Sequence, residues 1–411
     1  MSFKDLKLIK PLLKAIETSG YTEPTLVQQK SIPLILEKKD VIVSAQTGTG
    51  KTAAFALPIL QLLFDKQDAP KRGKKIRALI VSPTRELAVQ IQQDFKDYAK
   101  YSNIRSLAIF GGTSIEPQID ILEKGIDILV ATPGRLLDLH KQDYINLDYI
   151  ETLVLDEADL MLAMGFIDDV KKINHLCPEN KQTLLFSATI PYKIEQLANS
   201  ILKVPERVDV TPTHSIAKDV SQVLYYVPKR NKIELCLHLL RNTIKGNVLI
   251  FRRTKFGVNK LEKTLINNGY EVDSIHGDKN QSDRQTALNK FKNGYAKILI
   301  ATDVAARGID INTLDNVFNF DMPNQAETYV HRIGRTGRAG NIGKAYAMCS
   351  ADEKNYIKTI EQYINVQIPI ETEHPYPLDP KAKPVVHKKK GSKYKKGRKS
   401  VASKKKKKRW Y

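Results

Sequence analysis

Short apolar runs rich in β-branched residues recur along the chain, each separated from the next by a stretch whose apolar positions follow a helical period. In the first half these runs lie near Val41, at Ala78 to Ser82, Leu107 to Phe110, Ile128 to Ala131, Thr152 to Asp156 and Leu184 to Ala188. The second half repeats the plan at Val223 to Val227, Val248 to Phe251, Val272 to Ile275, Ile298 to Ala301, Val317 to Phe320 and Ala345 to Cys349, with helical stretches such as Phe256 to Asn267 between them. Runs that are apolar throughout, without alternation, read as parallel strands covered on both faces. Strands alternating with helices predict an α/β doubly wound sheet in each half, with functional loops at the carboxyl ends of the strands. The polar, proline-punctuated stretch from Val204 to Ser215 predicts a junction between the halves, with domains over 1–207 and 220–370 and a linker over 208–219.

Composition changes this picture at one end only. The chain has 411 residues, long enough for two ordinary domains, and a formal charge of +21. From Lys381 to Tyr411 there are 14 Lys and 2 Arg with no Asp or Glu, so this stretch carries +16 and the rest of the chain +5. Such a segment cannot bury enough apolar surface to fold alone, which predicts a disordered Lys-rich tail over 371–411. No apolar run approaches the roughly 20 residues that span a bilayer. The N-terminal residues mix charge with apolar side chains unlike a signal peptide, so a cytoplasmic location is expected. Cys177, Cys236 and Cys349 are too scattered for a zinc site or a disulfide framework.

Two motifs carry the candidate chemistry. Ala45-Gln46-Thr47-Gly48-Thr49-Gly50-Lys51-Thr52 follows the apolar Val41-Ile42-Val43 and precedes a helix-prone segment, the strand, loop and helix context of a phosphate-binding loop. Its glycines free backbone N–H groups for the phosphates of ATP, Lys51 adds a point charge, and Thr52 offers a hydroxyl to Mg²⁺. Position 45 is Ala where the general pattern has Gly. The second motif, Asp156-Glu157-Ala158-Asp159, closes the run Thr152 to Leu155. Asp156 at that strand end is placed to hold Mg²⁺, and Glu157 to orient or deprotonate the attacking water. Gly343-Lys344 is followed by Ala345 and lacks the preceding glycines, so one ATP site per chain is expected.

Further motifs follow in a fixed order: Gly20 to Gln28 with Phe3 upstream, Pro83-Thr84-Arg85-Glu86-Leu87-Ala88, Gly111-Gly112, Thr132-Pro133-Gly134-Arg135, Ser187-Ala188-Thr189, Leu249 to Lys255, Gln281-Ser282-Asp283-Arg284, Ala301 to Asp310 and His331 to Arg338. With this set the chain resembles the DEAD-box RNA helicases of superfamily 2, and most resembles their RhlE-type branch, over residues 1 to about 370. The resemblance implies two tandem RecA-like domains and an ATP-dependent RNA helicase that unwinds short duplexes or remodels ribonucleoprotein. It implies that Phe3, Tyr21 and Gln28 serve the adenine, Gln28 by hydrogen bonding and Tyr21 by stacking, and that Asp310 touches the ribose. Arg335 and Arg338 become arginine fingers supplied in cis. Pro83, Thr84, Arg85, Gly112, Thr132, Pro133, Arg135, Arg284, Thr302 and Asp303 become RNA contacts, on sugar and phosphate rather than base edges. Asp159, Ser187, Thr189 and His331 become the coupling residues.

The partner so implied is RNA without sequence preference, bound by a monomer that has no membrane contact and serves ribosomal or RNA-degradation assemblies. Two alternatives share the motifs: an ATP-gated RNA clamp that organises partners without unwinding, and a DNA helicase of the same superfamily. The tail is expected to add salt-sensitive, sequence-independent affinity for RNA.

Overall fold

The computed structural model describes residues 1–46, 48–64, 75–210, 220–306, 314–337 and 343–379. Their strands form two parallel sheets, each drawn from one contiguous half of the chain. The first sheet contains β1 (Val41–Ser44), β2 (Ala78–Val81), β3 (Ser106–Ile109), β4 (Ile128–Ala131), β5 (Thr152–Leu155), β6 (Gln182–Ser187) and β7 (Glu206–Asp209), in the order β3-β4-β2-β5-β6-β1-β7. The second contains β8 (Val220–Tyr226), β9 (Val248–Phe251), β10 (Val272–Ile275), β11 (Ile298–Ala301), β12 (Asn316–Asn319), β13 (Gly343–Cys349) and β14 (Ile370–Glu371), in the order β10-β11-β9-β12-β13-β8-β14. Counted from its own first strand, each sheet has the same order.

The central strands are buried and mostly apolar because helices cover both faces. In the first lobe one apolar layer gathers Val27, Phe55, Phe95 and Phe186, and the other gathers Leu79, Leu129, Leu153 and Leu185. The second lobe is built alike, with Ile250 and Phe318 on one face and Leu249 and Val317 on the other. Side chains of successive residues on each strand thus enter opposite layers. The three cysteines are free and buried, and burial pushes their thiols up to about 11 for Cys177 and about 12 for Cys236 and Cys349, which makes them inert packing.

Two differences from the sequence expectation concern the last strand of each lobe. Residues 206–209 pair with β1 as β7, and Val208 is buried, so the first lobe runs past the expected boundary at 207. Ile370–Glu371 pairs with β8, and beyond it the Leu378 N–H donates to the Tyr226 carbonyl while Tyr376 packs on the lobe, so the second lobe continues past 370. Both strands are short edges with little burial, which leaves almost no apolar pattern to read. Residues 211–219 and 380–411, the cores of the expected linker and tail, lie outside the described residues. Among the described residues no helix is long and apolar enough to cross a membrane.

Candidate functional site

The loop after β1 is shaped by two glycines in the left-handed region, Gly48 at φ +84° and Gly50 at φ +87°. Gly50 is required for a second reason: a Cβ there would lie 2.4 Å from Gln28 Nε2. Gln28 is 3% exposed and holds two elements at once. Its Oε1 accepts the Thr25 N–H at 3.0 Å, closing a capping box at the start of the Leu26–Leu36 helix, and its Nε2 donates to the Gly50 carbonyl at 3.2 Å. Ala45 continues the sheet through its N–H to the Ser187 carbonyl, and the Thr49 hydroxyl donates to the Gln46 carbonyl at 2.7 Å. The Lys51–Phe64 helix then starts with its N-terminus toward the loop. Thr47 lies outside the described residues.

Lys51 and Glu157 meet across this loop, Nζ to Oε1, at 2.8 Å. Burial works against both charges. Each is nonetheless held ionised by the other: Lys51 is raised by Glu157 and Asp156, while Glu157 is lowered by Lys51 and further by His331 and Arg335. Glu157 itself sits at φ +54°, a left-handed conformation at the strand-to-helix turn. Asp156 is buried, and burial together with the neighbouring Glu157 pushes its carboxyl up to about 7. Asp156 and Thr52 line the same cavity, a donor set of carboxylate and hydroxyl that suits Mg²⁺ completed by phosphate and water oxygens.

Asp159 connects this turn to the next strand end. Its Oδ2 accepts both the N–H and the hydroxyl of Thr189 at 3.1 Å, and its own N–H donates to Ser187 Oγ at 3.1 Å. The Ser187 hydroxyl passes on to the Thr189 carbonyl at 2.7 Å. Across the gap, the Ala326–Ile333 helix of the second lobe presents Thr328 and His331, with Arg335 just beyond. The two lobes together enclose a cavity of about 860 Å³ lined by Gln28, Lys51, Asp156, Glu157, His331 and Arg335, among others. Tyr21 lines it too, half-exposed, with its hydroxyl accepting from Tyr98 at 3.3 Å.

A second constellation lies at carboxyl ends of other strands. Thr84 caps the Arg85–Tyr98 helix through Oγ1, and the Arg85 guanidinium packs so closely on Gly112 that a Cβ there would lie 2.2 Å from Nη2. Thr132 and Pro133 open the Pro133–Lys141 helix, where Arg135 donates to the Thr113 carbonyl at 3.1 Å. From the other lobe, Arg284 Nη2 meets Glu86 Oε1 at 3.0 Å. Burial and the fields of Arg284 and Arg135 lower Arg85, against the pull of Glu86. Arg135 Nη1 and Arg284 Nε are buried without a hydrogen-bond partner. Orphan guanidinium donors beside like charges form a place where phosphate oxygens would be stabilised.

The first lobe matches the DEAD/DEAH box helicase profile over residues 25–197, and the second matches the helicase conserved C-terminal domain over 231–340. The chain is 43% identical over 366 residues to the ATP-dependent RNA helicase DbpA of Bacillus subtilis, covering 89% of this chain and 75% of that protein. The chain belongs to the DEAD-box RNA helicases. It is 44% identical over 370 residues to the ATP-dependent RNA helicase CshA of Limosilactobacillus reuteri, covering 90% of this chain and 73% of that one. Among solved structures, it is similar to Mss116p bound to ssRNA and AMP-PNP, with a TM-score of 0.81 and 32% identity over 91% of this chain and 79% of that chain. It is also similar to S. cerevisiae Dbp5 bound to RNA and ADP BeF3, with a TM-score of 0.78 and 31% identity over 90% and 94%. The two sheets are therefore the tandem RecA-like domains of this family, and the chain is an ATP-dependent RNA helicase, an enzyme that binds nucleotide and RNA.

Some residues of this helicase stand elsewhere than the motifs imply. Phe3 is 6% exposed and belongs to the core cluster with Leu6 and Leu12, and it is not among the residues that line the cavity. Asp303 accepts from Arg332 with both carboxylate oxygens, at 2.6 Å from Nε and 2.8 Å from Nη2. Arg332, 2% exposed, also donates to Asn319 and to the Asp321 carbonyl, fixing the helix that carries His331. Thr302 lies one residue earlier, its N–H donating to the Ile275 carbonyl at 3.3 Å. Glu86 received no separate role from the sequence, although it stands inside a recognised motif, and Arg332, one of three arginines in His331 to Arg338 expected to line a cleft for anionic phosphate, is buried instead. Asp310 and Arg338 lie outside the described residues.

Proposed function

We propose that ATP and RNA drive the two lobes together, that hydrolysis is fast only in this closed state, and that closure separates short RNA duplexes locally without processive travel. The observation that carries this reading is the division of one cavity between two lobes. Lys51, Asp156 and Glu157 come from the first, while His331 and Arg335 come from the second. In this reading Lys51 leaves Glu157 for the phosphates, freeing that carboxylate to orient water or take its proton. Arg335 then meets the charge that develops on the transferring phosphoryl group, a contribution of about 10³ to 10⁵ in rate for an arginine finger. Thr52 and Asp156 would hold Mg²⁺, which neutralises phosphate charge when bound.

Arg85, Arg135 and Arg284 supply the RNA side of the same switch, because their mutual repulsion is relieved by a phosphate that touches both lobes. ATP and RNA must then raise one another's affinity by the same factor. The Asp159–Thr189–Ser187 hydrogen bonds join the acidic turn to the end of β6 at the edge of the cavity and suit a coupling role. We read the chain as a cytoplasmic monomer that remodels structured RNA in ribosomal or RNA-degradation assemblies. Its assignment to the RhlE-type branch rests on motif resemblance alone, since the relatives compared carry the names DbpA, CshA and RhpA.

The test is steady-state ATP hydrolysis without nucleic acid, with single-stranded RNA and with DNA of matched length at one salt concentration, followed by a duplex-separation assay. Stimulation by RNA alone together with strand release supports the reading. Equal stimulation by DNA would favour a DNA helicase, and RNA-stimulated turnover without strand release an ATP-gated clamp.

A further inference from the structure

The Lys255–Asn267 helix begins at the carboxyl edge of β9 and buries Val258, Leu261 and Leu265 against the second lobe. At 100° per residue, Phe256, Lys260 and Lys263 fall on the opposite side of the helix. Phe256 is 77% exposed, and both lysines are exposed without an ion pair among the described residues. The acid nearest in sequence, Glu262, lies off this stripe and pairs with Lys279 at 3.3 Å. An aromatic ring among unneutralised lysines is the composition that binds single-stranded nucleic acid, bases stacking on the ring while the lysines follow the phosphates.

The surroundings connect this stripe to the RNA edge. Lys255 Nζ lies 2.7 Å from Asp278 Oδ2, tying the start of the helix to the loop between β10 and the Gln281–Lys292 helix that carries Arg284. Asn259, on the flank of the stripe, meets His276 at 2.8 Å in that same loop. The space over Gly277, between those two contacts, is open to at least 4 Å. We propose that Phe256, Lys260 and Lys263 form an auxiliary site for the single-stranded RNA flank that leaves the groove on the second lobe, Phe256 stacking on one base. This rests on the RNA reading above and adds a site to it.

The experiment measures affinity of the full chain for oligouridylates of stepwise increasing length, with a non-hydrolysable ATP analogue. Wild type is expected to gain affinity at the length where RNA reaches the stripe. Phe256→Ala should lose that gain, a deficit of about fivefold or more, while binding the shortest oligomers as wild type does, and Phe256→Trp should keep it. Lys260→Gln with Lys263→Gln should flatten the salt dependence for long RNA by about 1.4 in the log–log slope. A Phe256→Ala chain that keeps the gain, one that weakens short and long RNA equally, or an unaltered slope in the double lysine variant would each overturn the proposal. A wild-type chain that binds no length would overturn the RNA reading itself, and the stripe with it.

Discussion

The pair Arg284–Glu86 is a direct ion pair between the lobes on the RNA side, and its replacement gives a quantitative test of closure. The two side chains are 15% and 7% exposed and 3.0 Å apart, so they form an ion pair between the lobes that is largely out of water. Close charge pairs across an interface couple by about 1.5–7 kcal/mol. Both groups regain water when the lobes part, which puts the expected coupling at the low end, about 1.5 kcal/mol, or roughly tenfold in the closure equilibrium. Energy transfer between dyes on the two lobes, with an ATP analogue and titrated RNA, reads that equilibrium directly. Glu86→Gln should weaken closure most without RNA, because it leaves Arg85, Arg135 and Arg284 less compensated, and RNA should restore part of it. Arg284→Gln should be restored less, since it removes a cation that RNA would use. The double variant should fall short of the sum of the single effects by the coupling. Additivity within about 0.3–0.5 kcal/mol would mean that the pair does not form in the working closed state, and the argument would fail.

Three further outcomes follow from the site. Lys51→Ala should abolish ATP turnover, whereas Glu157→Gln should keep nucleotide binding and accumulate a closed RNA complex; full turnover in Glu157→Gln, measured by phosphate release, would remove that residue from the chemistry. Gly50→Ala forces a left-handed φ of +87° on a residue with a Cβ, at about 1–2 kcal/mol, and pushes on Gln28 Nε2. Nucleotide affinity, measured with a fluorescent ATP analogue, should therefore drop at least tenfold, with a fall of only a few degrees in Tm. Removal of residues 381–411, which carry +16, should weaken RNA binding and flatten its salt dependence while basal ATPase stays near its full value; unchanged RNA affinity at low salt would contradict this.

The strands that the sequence announces most clearly are buried on both faces and apolar, as in Leu79-Ile80-Val81 or Leu299-Ile300-Ala301. β7 and β14 stayed hidden because an edge strand is specified by the neighbour that offers it hydrogen bonds, and Glu206, Arg207 and Asp209 face water. The phosphate loop and the acidic turn were readable because their chemistry is local to a few consecutive residues. What spans the fold was not. Nothing in sequence pairs Glu86 with Arg284, 198 positions away, or tells that Asp303 turns inward to Arg332. Phe3 shows the converse: an aromatic at the right upstream position is equally good core, and tertiary packing alone decides.

The repeated strand order gives the molecule an unusual degree of independence between its halves. Among the described residues, the seven strands of each sheet come from one contiguous half of the chain, and no strand pairing crosses the junction. A chain cut between residues 210 and 220 should thus yield two fragments, each complete as a folding unit and neither complete as an enzyme. Mixed together they would ignore one another until ATP and RNA arrived in company, and the nucleic acid would then act as the missing covalent link. On the proposed switch, the peptide between the lobes would set how often the halves meet, and the two ligands whether they stay.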